Sequence, residues 1–378
     1  MVKTTPKSDT IDIEAKYFLN AEGVDYCVRN RIPVRDLHGR DMSRASGFEW
    51  RKCGVETLSR LVSGGFLSAI EAMRPEFASA REPLVRLADV VLSGFLVSRF
   101  RSDLKGRVFL EPSISALRTA MLEDERLRRA TSARFEKGDW IDPLRSAIRS
   151  ACAAEAALRP PIEEGGELEA RCLQLIRAID KDTLLALALA GKTPIDGVAG
   201  IVLAYAGRMG VAEYLSPMLV EFVQLAEKSY LHNLAERDRY VRTHPQELQR
   251  LLASPSFREK LMEIAASRGE SMLLRIEFSS PRLGSGGGNR LDISTRTRGL
   301  IGYGSRYDFV NSKSKEVRTM DLAALLTIAA GNDGGAKLGL VYHTNLAKAC
   351  AKEAVIFSSS VILDERKDET VVTMSVTV

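Results

Sequence analysis

The stretch LVRLADVVLSGFLVSRF, Leu84–Phe100, constrains the fold more than any other part of the chain. It is apolar on nearly every side of a helix, so it has no face to give to water and must lie inside a core. It belongs to a longer helical pattern from Arg51 to about Arg159, in which Leu58, Leu61 and Val62 recur at helical spacing. Ahead of it, residues 1–50 are polar and broken by Pro33, Gly39 and Gly47, and read as a loop-like lead-in. Behind it, Pro112-Ser113 opens a charged amphipathic helix with Ser113 as its N-cap, and Asp142-Pro143 begins another through Ala157.

RPPIEEGGEL, Arg159–Leu168, cannot continue a helix and reads as a linker. A second helical block follows over roughly 167–268, punctuated by Pro245 and Pro255. At Ser271 the period changes. SMLLRIEFSS alternates as a half-buried strand, PRLGSGGG turns, and NRLDISTRT returns. A short helix (Met320–Ala330), a second helix (Lys337–Glu353) and a closing hairpin split by DERKDE complete the chain. The expected fold is multidomain: a mainly α N-terminal body and a C-terminal α+β two-layer sandwich, its mixed or antiparallel sheet carrying helices on one face. The expected domains are 1–160, 161–255 and 256–378.

Five scattered cysteines, with no CxxC spacing, give neither a zinc ribbon nor a thioredoxin-type motif. The four histidines are solitary, so no metal site is expected. The start, MVKTTPKSDTIDIEAK, has no apolar signal region, and Leu184–Gly207 is interrupted by Lys192, Pro194 and Asp196. A cytoplasmic protein without a membrane span is the expectation. The net charge of +5 has a local source: residues 260–320 hold eleven Lys/Arg against six acids.

The C-terminal order, helix (Ser256–Arg268), strand, Gly-rich turn, strand, short helix, GNDGGAKLGL, helix, hairpin, resembles the GHKL or Bergerat nucleotide-binding fold of histidine kinases and anti-sigma-factor kinases. The resemblance covers about a third of the chain. It implies that Gly334, Gly335, Lys337 and Gly339 meet nucleotide phosphates at a helix N-terminus, whose free N–H groups and dipole attract anions. It also implies that Glu259 and Glu263 serve as catalytic base or Mg²⁺ ligand, with ATP and Mg as cofactors. Any catalysis would be ATP hydrolysis or protein phosphorylation. Three positions depart from the family pattern. Lys337 replaces the middle glycine of the box, Glu263 stands where the family has asparagine, and Thr297-Arg298-Gly299 lacks the adenine-binding aspartate. The nucleotide site is therefore expected to be degenerate.

The function implied is a signalling or regulatory protein whose nucleotide-binding domain is coupled to a helical body that binds a protein partner. Two other readings stand beside it. One is a non-catalytic adaptor or assembly subunit. The other is a nucleic-acid binder in which Arg290, Arg296, Arg298 and Arg306, interleaved with Tyr303 and Tyr307, meet phosphates and stack on bases.

Overall fold

A computed structural model describes residues 10–39, 44–74, 77, 80–110, 116, 119–120, 123–136, 141–158, 165–180, 183–184, 192–235, 244, 247–279, 289–298, 317–323, 334–364, 367 and 369–378. Ser113, the SGGG turn, Tyr303, Arg306, Tyr307 and most of the 320–330 segment lie outside these residues.

The chain forms two compact units, one of 1–92 with 213–378 and one of 93–212, and so divides elsewhere than at 160 and 255. In chain order the first part contains β1 (Thr10–Ile11), β2 (Ala15–Leu19), α1 (Ala21–Arg29), β3 (Arg35–Leu37), β4 (Ala45–Trp50), β5 (Cys53–Gly54), α2 (Val55–Ser63), β6 (Leu67–Arg74) and α3 (Arg81–Leu110). Then come α4 (Glu125–Glu136), α5 (Ile141–Leu158), α6 (Gly165–Ala178), α7 (Lys192–Ala235), α8 (Leu248–Leu252) and α9 (Pro255–Ser267). The last part holds β7 (Met272–Ser279), β8 (Arg290–Arg298), β9 (Val317–Met320), α10 (Gly334–Lys352), β10 (Ile356–Asp364) and β11 (Glu369–Thr377).

The structure is mixed α/β. Its main sheet has nine strands in the order β3-β4-β2-β6-β7-β8-β11-β10-β9, and every pairing is antiparallel. The N-terminal body is therefore not mainly helical: residues 15–74 contribute four strands to the sheet. These strands and α1 and α2 follow each other as β-α-β-β-α-β, the split βαβ arrangement of ferredoxin-like folds. The loop-like reading of 1–50 failed because its strands are short and β4 carries Gly47. A side chain there would come within 2.1 Å of the Tyr17 carbonyl, so the breaker residue is what allows β4 to approach β2. β6, LSAIEAMR, is made of good helix formers that tertiary pairing holds extended.

Register fixes what each face carries. On one face Tyr17, Phe48, Ile70, Leu274, Ile276, Ile293, Val361, Val372 and Met374 are all buried. Tyr17 stacks on Phe48 with ring centroids 5.0 Å apart, and Trp50 tilts against both. The other face is mixed: Phe18, Leu37 and Ala69 form a small buried cluster on it, and charged pairs lie beside them. Glu71 lies opposite both Lys16 and Arg275, and Glu277 lies opposite Asp292. A directly opposed pair of carboxylates is destabilising, but Arg275 takes Glu277 at 2.9 Å and Arg290 takes Asp292 at 2.7 Å.

In this unit a carboxylate also ties the helices together. Glu227 of α7, 2% exposed, accepts the Phe77 N–H and a hydrogen bond from Arg258 of α9, each at 2.9 Å. The Ser216 hydroxyl of α7 donates to Asp89 of α3. At the start of α1, Asn20 accepts the Gly23 N–H and donates to the Gly65 carbonyl, so one side chain caps the helix and holds the turn before β6.

The second unit is helical among the described residues. Here α3 buries Leu96, Val97, Phe100 and Leu104, and α7 buries Val202, Tyr205, Ala206 and Met209. Phe100 meets Tyr205 edge-on at 5.6 Å, and the Tyr205 hydroxyl donates to Asp103. Gly197–Ala235 is long and apolar enough to cross a membrane, and 61% of its most apolar window is buried inside the protein.

Arg275 to Glu71 is the pair on which the polar face is centred. Arg275→Met leaves a 3%-exposed carboxylate without this cation. The expected loss is about 3 kcal/mol, read as a lower urea midpoint at unchanged slope, with Glu71→Leu in the same chain restoring most of it. Asn20→Ala should cost about 1 kcal/mol in the same measurement.

Candidate functional site

The part of the C-terminal segment that the sequence singles out is α10 and its seat on β10. Gly334, Gly335 and Lys337 lie in the first turn of this 19-residue helix. The first four N–H groups of a helix have no partner within it, so residues 334–337 supply such donors at the positive end of the dipole. Gly339 is the sixth residue. Its N–H is taken up by the helix, and the residue is buried, in line with Leu346 and Cys350. The structure thus separates the box: Gly334, Gly335 and Lys337 begin the helix, and Gly339 belongs to the seam along which the helix packs.

His343 continues that seam one turn after Gly339. Its ring meets Phe357 edge-on at 5.4 Å, and its Nε2 lies 3.1 Å from the Ser359 hydroxyl. Both partners stand on the buried face of β10, two residues apart. The register of β9 adds a carboxylate: Met320 pairs with Val361, so Asp321 follows at the level of Ser360. Its Oδ1 accepts the Ala323 N–H at 2.6 Å. Burial pulls the His343 pKa below its ordinary value, and Asp321 opposes this without reversing it. The imidazole is therefore neutral near pH 7, with a hydroxyl on one ring nitrogen and a carboxylate in its field. Such a group can accept or pass on a proton. Sequence reasoning left His343 as a solitary residue. Ser359 and Asp321 join it only through strand register, and the sole local signal was its place eight residues after Gly335.

The other expected residues are not gathered here. Glu259 and Glu263 lie on the exposed side of α9, opposite buried Leu261 and Ala265. Among the described residues no hydrogen bond, ion pair or ring contact joins either to α10. The β8 arginines face the polar side of the sheet, and each meets a carboxylate. Arg290 pairs with Asp292, Arg296 with Glu369 at 3.9 Å, and Arg298 with Glu270 at 3.0 Å. Arg275 pairs with Glu71 and Glu277. Of the basic residues in the 260–320 window, Arg275, Arg290, Arg296 and Arg298 are thus paired with acids, two of which, Glu71 and Glu369, come from outside it.

Neutral His343 gives a signed pH dependence. With its pKa lowered on folding, the unfolded chain binds more protons as pH falls through the ordinary histidine value of about 6.5, and stability falls with it. Acidification from pH 7.5 to 5.5 should lower the melting temperature less in His343→Gln than in the unaltered chain. Equal pH slopes in differential scanning fluorimetry would contradict the placement of a neutral imidazole on this seam.

The family model that matches the chain covers residues 6–114 and 192–378. It takes in all nine strands of the main sheet and α10, and leaves out 115–191, where α4, α5 and α6 lie. No curated protein and no solved structure matches the chain. The matched residues make up well over half of the sequence, and the chain belongs to the family of unknown function designated DUF8084.

Proposed function

We propose that the protein is a regulatory binding protein that takes a phosphorylated ligand, a nucleotide with Mg²⁺, at the first turn of α10. The observation that carries this reading is the composition of that turn, Gly334-Gly335-Ala336-Lys337, at the start of a long helix seated on the sheet. Two positions without a side chain let an anion approach the backbone donors, and a lysine adds a cation. The turn also falls within the residues that the family model matches. In this reading the C-terminal part keeps the nucleotide-binding role that its resemblance to GHKL domains implies, without the aspartate that would fix an adenine. Its C-terminal strands and helices form a two-layer sandwich, and the helical 93–212 unit meets a protein partner. Neutral His343, two turns along the helix, reports occupancy to β10 through Ser359.

The nucleic-acid reading faces a physical obstacle. Arg290, Arg296 and Arg298 each already meet a carboxylate, at 2.7, 3.9 and 3.0 Å, so a phosphate would compete with it for the same guanidinium.

The test is a thermal shift with Mg-ATP, ADP and inorganic phosphate on the full chain. A ligand at one hundred times its Kd stabilises by about 2.7 kcal/mol. Lys337→Glu, which reverses the charge in the first turn, should weaken the shift at least tenfold in ligand concentration. No shift at millimolar nucleotide, or the same shift in Lys337→Glu, would remove α10 as the binding element.

A further inference from the structure

The two edges of the nine-stranded sheet are finished differently. At one end β3 is three residues long and its charges are paired, Arg35 with Glu49 and Asp36 with Arg44. A short, charged edge discourages pairing with another chain. At the other end β9 covers Val361–Asp364 of β10, and the ladder stops at Met320. Asp321 leaves the strand, and Leu322 beyond it is buried. Among the described residues, Ile356–Ser360 therefore pair with β11 alone. From Val355 to Leu363 the chain has no charged residue, proline or glycine. Its pairing with β11 runs without a bulge. Ile356 is 68% exposed, more than any other large apolar side chain among the described residues, and Ser358 is exposed too. None of the usual protections of an edge strand is present on this half of β10.

We propose that Ile356–Ser360 of β10 pairs antiparallel with the same segment of a second copy of this chain, joining two sheets across a two-fold axis at Ser358. Ser358 then lies opposite Ser358 of the second copy, Phe357 opposite its Ser359, and Ile356 opposite its Ser360. Each side chain keeps its own side of the sheet in this register. A strand that meets its own copy must avoid setting like charges against each other, and this segment carries none. The length fits as well. The open stretch is bounded at one end by β9. At the other, Ala354, with φ 52°, turns the chain out of α10. A second copy entering antiparallel brings the same five residues before its own chain turns away.

Pairing of this kind is isologous and closes on itself, so it gives a dimer rather than a filament. A ladder this short buries less surface than the interface of a permanent dimer, and the association is reversible. Phe357 and Ser359 face α10 through His343, so Ile356 and Ser358 stand on the opposite side of the strand. The dimer therefore does not rest on the nucleotide reading of the first turn of α10. β10 lies within the residues that the family model matches.

The experiment is sedimentation equilibrium of the full chain from low to high micromolar concentration. The expected result is a monomer–dimer equilibrium. Ser358→Lys sets two ammonium groups opposite each other and should weaken the dimer roughly fivefold or more, with added salt returning part of the loss. A second variant fixes the register. The five native cysteines are buried, so in Ser358→Cys a short bismaleimide should couple two chains through position 358. Thr344→Cys, on the exposed side of α10, should give no coupled dimer. The Ser358→Cys coupling decides alone if Ser358→Lys does not fold. A monomer at every concentration would leave the edge to a strand of another protein and overturn the proposal. A dimer unchanged in Ser358→Lys, or one that Ser358→Cys does not couple, would place the interface elsewhere and overturn it equally.

Discussion

The pairing of β6 with β7 is what the rest of the structure depends on. It joins strands from opposite ends of the sequence, with Ile70 opposite Ile276 and Ala72 opposite Leu274 on the buried face. On the polar face the same pairing sets Arg275 against Glu71, 204 positions away. Without it, a four-strand N-terminal sheet and a five-strand C-terminal sheet would each expose an unpaired edge. The ion pair adds little net stability by itself, because two charges must leave water to form it. Its contribution is register. A shift by one residue would move Arg275 to the apolar face and Ile276 to the polar one.

Charge pairing also governs the described arginines of β7 and β8. Arg275, Arg290, Arg296 and Arg298 stand on one face of β7 and β8, and carboxylates from β6, β7, β8, β11 and the end of α9 reach them. Antiparallel pairing interleaves segments of opposite charge, so a count along the chain overstates what solvent meets. At α10 the reverse occurs. A run of glycines that looks uniform in sequence has two roles in space, with Gly334 and Gly335 at the helix start and Gly339 in the packing seam.

The local features of the fold were legible. Leu84–Phe100 lies in α3, with Leu84, Leu87, Val91, Phe95 and Phe100 buried, and SMLLRIEFSS, NRLDISTRT and the closing hairpin are strands. The N-terminal strands were not, because their strand character is collective. Arg35–Leu37 is three residues long and β4 contains a glycine that propensity counts against it. The candidate site was half legible. Glycine and lysine before an amphipathic stretch mark a helix start by composition, but Ser359 and Asp321 reach His343 only through register across β9, β10 and α10.

The long reach of β6 to β7 also sets a schedule for synthesis. During translation β6 leaves the ribosome about 200 residues before its partner, a delay of roughly 10–40 s at 5–20 residues per second. For that interval the split βαβ half has its inner edge open and Ile70 and Ala72 without their β7 neighbours. The helical unit, residues 93–212, is made in the meantime, and its α3–α7 contacts, Phe100 and Asp103 against Tyr205, close only once α7 has emerged. The nascent chain must therefore wait, half built and with an adhesive strand uncovered, until its last third arrives. Its yield in a cell depends on how well that one edge is shielded before release.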